Sequence, residues 1–95
     1  MERTSVLDQQ FNSAVEYVRQ TPTTTPISND TKLLYYAYFK QATMGDVNTA
    51  QPSVFWFKER AKWNAWNALK GMNQEIAKWQ YVKMVHSYET GTWLY

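Results

Sequence analysis

Where the prolines and glycines fall decides what this chain can fold into. Its three prolines and three glycines stand at Pro22, Pro26, Gly45, Pro52, Gly71 and Gly91. A proline removes a backbone donor and biases the residue before it away from helix, whereas a glycine is the ordinary residue just past a helix C-terminus. Of the stretches between them, four are long, and each of those has the length of several helical turns.

The stretches also carry helical patterning and caps. From Val6, the apolar residues Leu7, Phe11, Ala14, Val15 and Val18 recur at spacings of four, three, one and three, which puts them on one face of a first helix over about 5–19. The segment Thr21-Pro22-Thr23-Thr24-Thr25-Pro26 reads as a loop. Ser28 or Asn29, followed by Asp30, is an N-cap signal, so a second helix is expected over 29–44, with Gly45 as its C-cap. Turn formers from Asp46 to Ser53 make a longer connection. The third helix is expected over 58–70, through Trp66 and Leu69 to a stop at Gly71, and Asn73 caps a fourth over 73–89. No segment has the alternation of a strand and none repeats. The expected fold class is all-α, as a four-helix bundle.

A chain of 95 residues has room for one core, so residues 1–95 are expected to form a single domain with one principal site. There is no cysteine, hence no disulfide and no thiolate metal cage, and packing alone must hold the fold. The opening residues lack the apolar segment of a secretory signal, and no apolar run approaches the ~18 residues of a membrane span. A cytoplasmic protein is the expectation. Net charge is +2, with ten basic residues interspersed among eight acidic ones, which is not the footprint of a nucleic-acid binder. Aromatic residues reach 17%, and some of those rings are expected to face a ligand.

Catalytic parts are scarce. His86 is the one histidine, there is no thiol, and no serine lies in a nucleophile elbow, so neither a triad nor a metal site can be assembled. The glycines stand too far apart for a phosphate loop. Phosphate recognition would have to use side chains. Tyr36 and Lys40 lie four apart on one face of the second helix, where a ring can meet a flat ligand and an ammonium an anion. Lys58 and Lys62 repeat that spacing on the third, beside Trp63. By spacing alone, both pairs are more often solvated helix flanks whose lysines snorkel to water. Trp66 falls in the Ala65, Trp66, Leu69 stripe and is assigned to the core.

Two longer blocks carry more. Tyr36-Ala37-Tyr38-Phe39-Lys40-Gln41-Ala42-Thr43-Met44-Gly45-Asp46-Val47-Asn48-Thr49 and Arg60-Ala61-Lys62-Trp63-Asn64-Ala65-Trp66-Asn67-Ala68-Leu69-Lys70-Gly71 resemble, in order, the two signature segments of the acyl-CoA-binding proteins. Weaker similarity extends to Phe11, Ala14 and Val18 and to Tyr81 and Val85. The resemblance implies an up-down-down-up bundle that holds one long-chain acyl-CoA and acts as an intracellular carrier and pool former, with no chemical turnover and no cofactor or metal.

Carried over by position, Tyr36 would meet the adenine ring and Lys40 the ribose 3′-phosphate, with Lys62 adding to phosphate binding. Phe39, Lys58, Ala61 and Tyr81 would line the same site, and Val15 and Arg19 would lie along the acyl path. The resemblance further implies a monomer without stable membrane insertion, making only transient contact with membranes or acyl-CoA-using enzymes. Five departures stand out, one of them a proline loop before the second helix that is one residue longer than usual. Phe39 occupies a position usually held by tyrosine, Lys32 one usually apolar, and Trp56 one commonly acidic. The tail from His86 to Tyr95 lacks the family's lysine-rich ending. A rival reading makes the chain a protein-interaction module anchored by Trp56, Trp79 and Trp93. An acyl-CoA-processing enzyme would have only His86 as a base.

Overall fold

The computed structural model describes residues 5–20 and 27–90, so the proline stretch 21–26 and the tail that holds Trp93 lie outside the described residues. Helix α1 spans Val6–Gln20, α2 Asn29–Met44, α3 Phe57–Asn67 and α4 Gln74–Thr90. The caps explain most of these bounds. Ser28 sits in extended conformation and its Oγ accepts from the Thr31 N–H at 3.1 Å, while Asn73 Oδ1 accepts from the Glu75 N–H at 2.6 Å. Ser5 does the same for α1, accepting from the Asp8 N–H at 3.0 Å. Gly45 closes α2 at φ +80°, a conformation that disfavours any side chain, and donates to the Gln41 carbonyl.

Helix α3 differs from expectation. It ends at Asn67 rather than Lys70, because the backbone tightens: Leu69 donates to the Trp66 carbonyl and Lys70 to that of Asn67, both three residues back. Gly71, at φ +93°, then turns the chain toward α4. At its other end α3 begins without a side-chain cap, since Trp56 holds the N-cap position and makes no capping bond.

Cross-helix contacts give the topology. Asp8 pairs with Lys78 at 2.6 Å and the Phe11 ring meets that of Tyr81 at 5.3 Å, so α1 and α4 run the same way. The Gln74 amide donates to the Ala42 carbonyl at 3.0 Å, and the Tyr35 hydroxyl to that of Met84 at 3.4 Å, which makes α2 antiparallel to α4. Lys62 lies over the Tyr36 ring and Lys40 over that of Trp66, so α3 runs parallel to α2. The order is up, down, down, up.

Two patches of core follow. Phe11, Ala14, Ala42, Ala77, Tyr81 and Val85 are buried together where α1, α2 and α4 meet, with Val15, Tyr35 and Phe39 packed against them. Ala37 and Trp66 are buried apart from that cluster, at the contact of α2 with α3. The α1 stripe holds as far as Val15; Val18 is 42% exposed. A polar tie joins the ends: fully buried Gln41 donates through its amide to Asp46 Oδ1 at 2.9 Å and to the Met72 carbonyl at 2.8 Å. The same Asp46 oxygen accepts from the Gly71 N–H at 2.8 Å. Among the described residues no helix is long and apolar enough to cross a membrane.

Candidate functional site

Because α2 and α3 lie parallel, residues four apart on one helix face residues four apart on the other. On α2 the ring comes first and the cation second, Tyr36 then Lys40; on α3 the order is reversed, Lys62 then Trp66. Each cation therefore meets the other helix's ring. Lys40 Nζ sits 4.9 Å from the centre of the Trp66 ring, and Lys62 Nζ sits 5.4 Å from that of Tyr36.

The four side chains differ in exposure. Trp66 is 3% exposed, Tyr36 and Lys40 are half-buried, and Lys62 is exposed. Lys78 pairs with Asp8 and Glu75, and among the described residues no carboxylate lies within ion-pair distance of Lys40 or Lys62. Lys40 and Lys62 thus hold two positive charges against aromatic faces, unneutralised by a carboxylate. Such a pair is chemically suited to an anion of high charge, and the flank of Tyr36 to a flat ring.

The indole nitrogens hold the α2–α3 connection against α3. Trp66 Nε1 donates to the Gly45 carbonyl at 2.8 Å and Trp63 Nε1 to that of Thr49 at 2.9 Å. The Gln51 amide donates to Asn64 Oδ1 at 2.8 Å, and Arg60 Nη1 to the Pro52 carbonyl at 2.9 Å. The aromatic and basic positions of α3 are thereby set before a ligand arrives.

Of the other expected site residues, Lys58 is exposed and Ala61 half-buried, both on α3. Phe39 and Tyr81 lie deeper. The Phe39 ring stacks 6.3 Å from Phe11 and lies 6.3 Å from Tyr81, which is buried and also touches Tyr35 at 5.6 Å. Burial pushes the Tyr81 hydroxyl above its ordinary pKa, so it stays protonated at neutral pH. Phe39 is thus a packing residue between α1 and α2. Val15 is half-buried against the core and Arg19 exposed in the last turn of α1; among the described residues the backbone of α1 approaches neither α2 nor α3. Trp66 was legible in the sequence as core but not as the seat of Lys40, although it stands four residues after Lys62.

A separate open groove of about 530 Å³ lies between α1 and α4, lined by Val6, Gln9, Ser13, Tyr17, Val82 and His86 among others. It holds none of the expected site residues and no lysine or arginine. That makes it a poor match for a phosphate-bearing ligand.

Comparison with known proteins agrees with the helix order and the two signature blocks. Residues 8–85 match the sequence family described as acyl CoA binding protein. The chain is 45% identical over 82 residues to acyl-CoA-binding protein homolog 3 of Caenorhabditis elegans, covering 84% of this chain and 71% of that one. It is 44% identical over 80 residues to the acyl-CoA-binding protein homolog of Drosophila melanogaster, covering 84% and 91%. Among solved structures, it resembles acyl-CoA-binding protein 2 of Oryza sativa with a TM-score of 0.81 and 39% identity over 90% of this chain and 92% of that one. The corresponding protein of Moniliophthora perniciosa gives 0.83 and 36% over 98% and 88%.

Proposed function

The chain belongs to the acyl-CoA-binding protein family, and from that premise we propose that it binds long-chain acyl-CoA thioesters across α2 and α3 and serves as a cytoplasmic carrier and reserve of them, without turning them over. The observation that carries this reading is the crossed pair of unneutralised lysines on aromatic faces, Lys40 with Trp66 and Lys62 with Tyr36. A ring laid against Tyr36 comes within reach of Lys62, and a phosphate one helical turn further along α2 meets Lys40. Lys58 and Ala61 would border the same face, and Tyr81 and Phe39, which pack in the core behind α2, would meet the ligand only along its acyl part. Val15 and Arg19 on α1 would line the acyl path.

The ligand's two halves contribute in different ways. Each charge-assisted phosphate contact is worth about 1.5–3 kcal/mol net, and each buried methylene up to ~0.8 kcal/mol. Long chains are therefore held far more tightly than short ones, and a free fatty acid, which has no phosphates, is held weakly. The reading of a carrier rather than a catalyst rests on the scarcity of candidate bases: His86 belongs to the α1–α4 groove, away from the lysines.

Calorimetric titration with palmitoyl-CoA, beside coenzyme A alone and palmitate alone, tests the proposal. The expected result is saturation near one ligand per chain, with both fragments much weaker. Equal affinity for palmitate and palmitoyl-CoA would remove the phosphates from recognition, and slow hydrolysis of the thioester by the protein would make it an enzyme.

A further inference from the structure

Four consecutive apolar side chains stand in the open at the entrance to α3. Val54 is 63% exposed, Phe55 86%, Trp56 66% and Phe57 71%. Soluble surfaces tolerate single exposed apolar residues; an unbroken run with three large rings is another matter.

The backbone beneath this run is fixed. The Phe55 N–H donates to Ser53 Oγ at 3.2 Å and the Trp56 N–H to the Ser53 carbonyl at 3.0 Å, forming a tight turn. The Arg60 guanidinium holds the Pro52 carbonyl on one side, and the Arg60 N–H bonds the Trp56 carbonyl at 2.8 Å on the other. Trp56 moreover occupies a helix N-cap, a position where Ser, Asp or Asn would satisfy the first-turn N–H groups. The chain thus places an exposed indole where a small polar residue would serve the helix better, and braces it there.

We propose that this turn is a docking surface for an anionic lipid bilayer, with Phe55 and Trp56 entering the headgroup boundary and the basic side chains that follow them meeting lipid phosphates. Charge complementarity argues for this occupant. Directly after the rings come Lys58, Arg60 and Lys62 against Glu59 alone, with both lysines exposed. Aromatic rings flanked by Lys and Arg suit the apolar and anionic layers of a membrane surface. A protruding turn with each ring 66% exposed or more is also shaped to enter a soft interface; an anchor for a protein groove would combine with neighbouring polar contacts on a flatter face. Phe55 and Trp56 lie outside the Tyr36–Lys62 cluster, whereas Lys58 and Lys62 are shared with the proposed ligand site, so it is the ligand-free chain whose lysines are open to lipid phosphates.

The test is co-sedimentation of the ligand-free full chain with vesicles, comparing pure phosphatidylcholine with a mixture containing about one-third phosphatidylserine. The expected result is binding to the mixed vesicles that weakens with added salt and on the neutral ones, and that falls by about tenfold or more in a Phe55→Ser, Trp56→Ser double variant. Circular dichroism of the variant, and its unchanged titration with palmitoyl-CoA, keep a folding defect from passing for lost docking. Absence of wild-type binding, or equal binding by the variant, overturns the proposal. So does a wild-type dimer in sedimentation velocity that the double substitution abolishes, since the patch would then serve a second copy of the chain.

Discussion

An ammonium resting on an aromatic face is held by about 0.5–2 kcal/mol, less than a good phosphate contact provides, so Lys40 and Lys62 are positioned by Trp66 and Tyr36 without being committed to them. Lys40→Ala should therefore weaken palmitoyl-CoA binding by about 1.5–3 kcal/mol in calorimetry, yet shift the urea midpoint little, because the contact it removes is one ammonium on the face of one indole. Unchanged affinity would take Lys40 out of the site. Asp46 acts on stability instead. The Gly71 N–H, and after it the Gln41 amide, hold its carboxyl below the ordinary aspartate value. With the folded pKa depressed, the unfolded chain binds the proton more readily, so the contribution is complete above the unfolded value of about 3.9 and is lost as pH falls through the folded one. Urea midpoints at about pH 5 and about pH 3 should fall further for the wild type than for Asp46→Asn. At this scale the sequence was legible for what shares a face and silent on what meets across faces. Spacing paired Tyr36 with Lys40, but seating Lys40 on Trp66 depends on how α2 and α3 are rotated against each other. Phe39 shows the same limit: its place by position is in the site, while its ring packs with Phe11 and Tyr81.

Helix ends separate what local chemistry decides from what tertiary contacts decide. The bounds of α2 at 29 and 44 and the Asn73 cap follow from side chains acting within a few residues, and both are readable from sequence. The early end of α3 at Asn67 is not, because the tightened turn through Lys70 brings the Gly71 N–H onto Asp46, 25 residues away in sequence. The two N-termini after the connections make a matched comparison. Asn73→Ala removes an acceptor that serves two N–H groups of α4 and should cost about 1 kcal/mol in urea unfolding. Trp56→Ser removes no cap bond and little buried area, so its stability should stay within about 0.5 kcal/mol of the wild type. A loss as large as that of Asn73→Ala would mean that the exposed indole supports the fold, which would weaken the case for a surface kept for docking.

For the whole molecule, the direction in which helices run came from the resemblance of two sequence blocks, since periodicity alone is indifferent to topology; the physical record of it lies in cross-chain contacts such as Asp8 with Lys78 and Gln74 with Ala42. Those contacts make the fold uneven. Among the described residues the backbone of α1 approaches α4 alone and that of α3 approaches α2 alone, while α2 and α4 pack on each other. The outer helices are therefore coupled through the central pair, with Phe11 against Phe39 as a direct side-chain link from α1 to α2. A ligand that binds only α2 and α3 stabilises that half, and it protects α1 only as far as global unfolding is suppressed. An acyl chain running to Val15 and Arg19 would tie the far helix in as well. Hydrogen exchange should accordingly show coenzyme A slowing amides of α2 and α3, and palmitoyl-CoA slowing those of α1 in addition, beyond the gain expected from its higher affinity. If α1 gains no more with palmitoyl-CoA than with coenzyme A at matched saturation, Val15 and Arg19 are not on the acyl path, and the chain must be shielded within the α2–α3 half of the molecule.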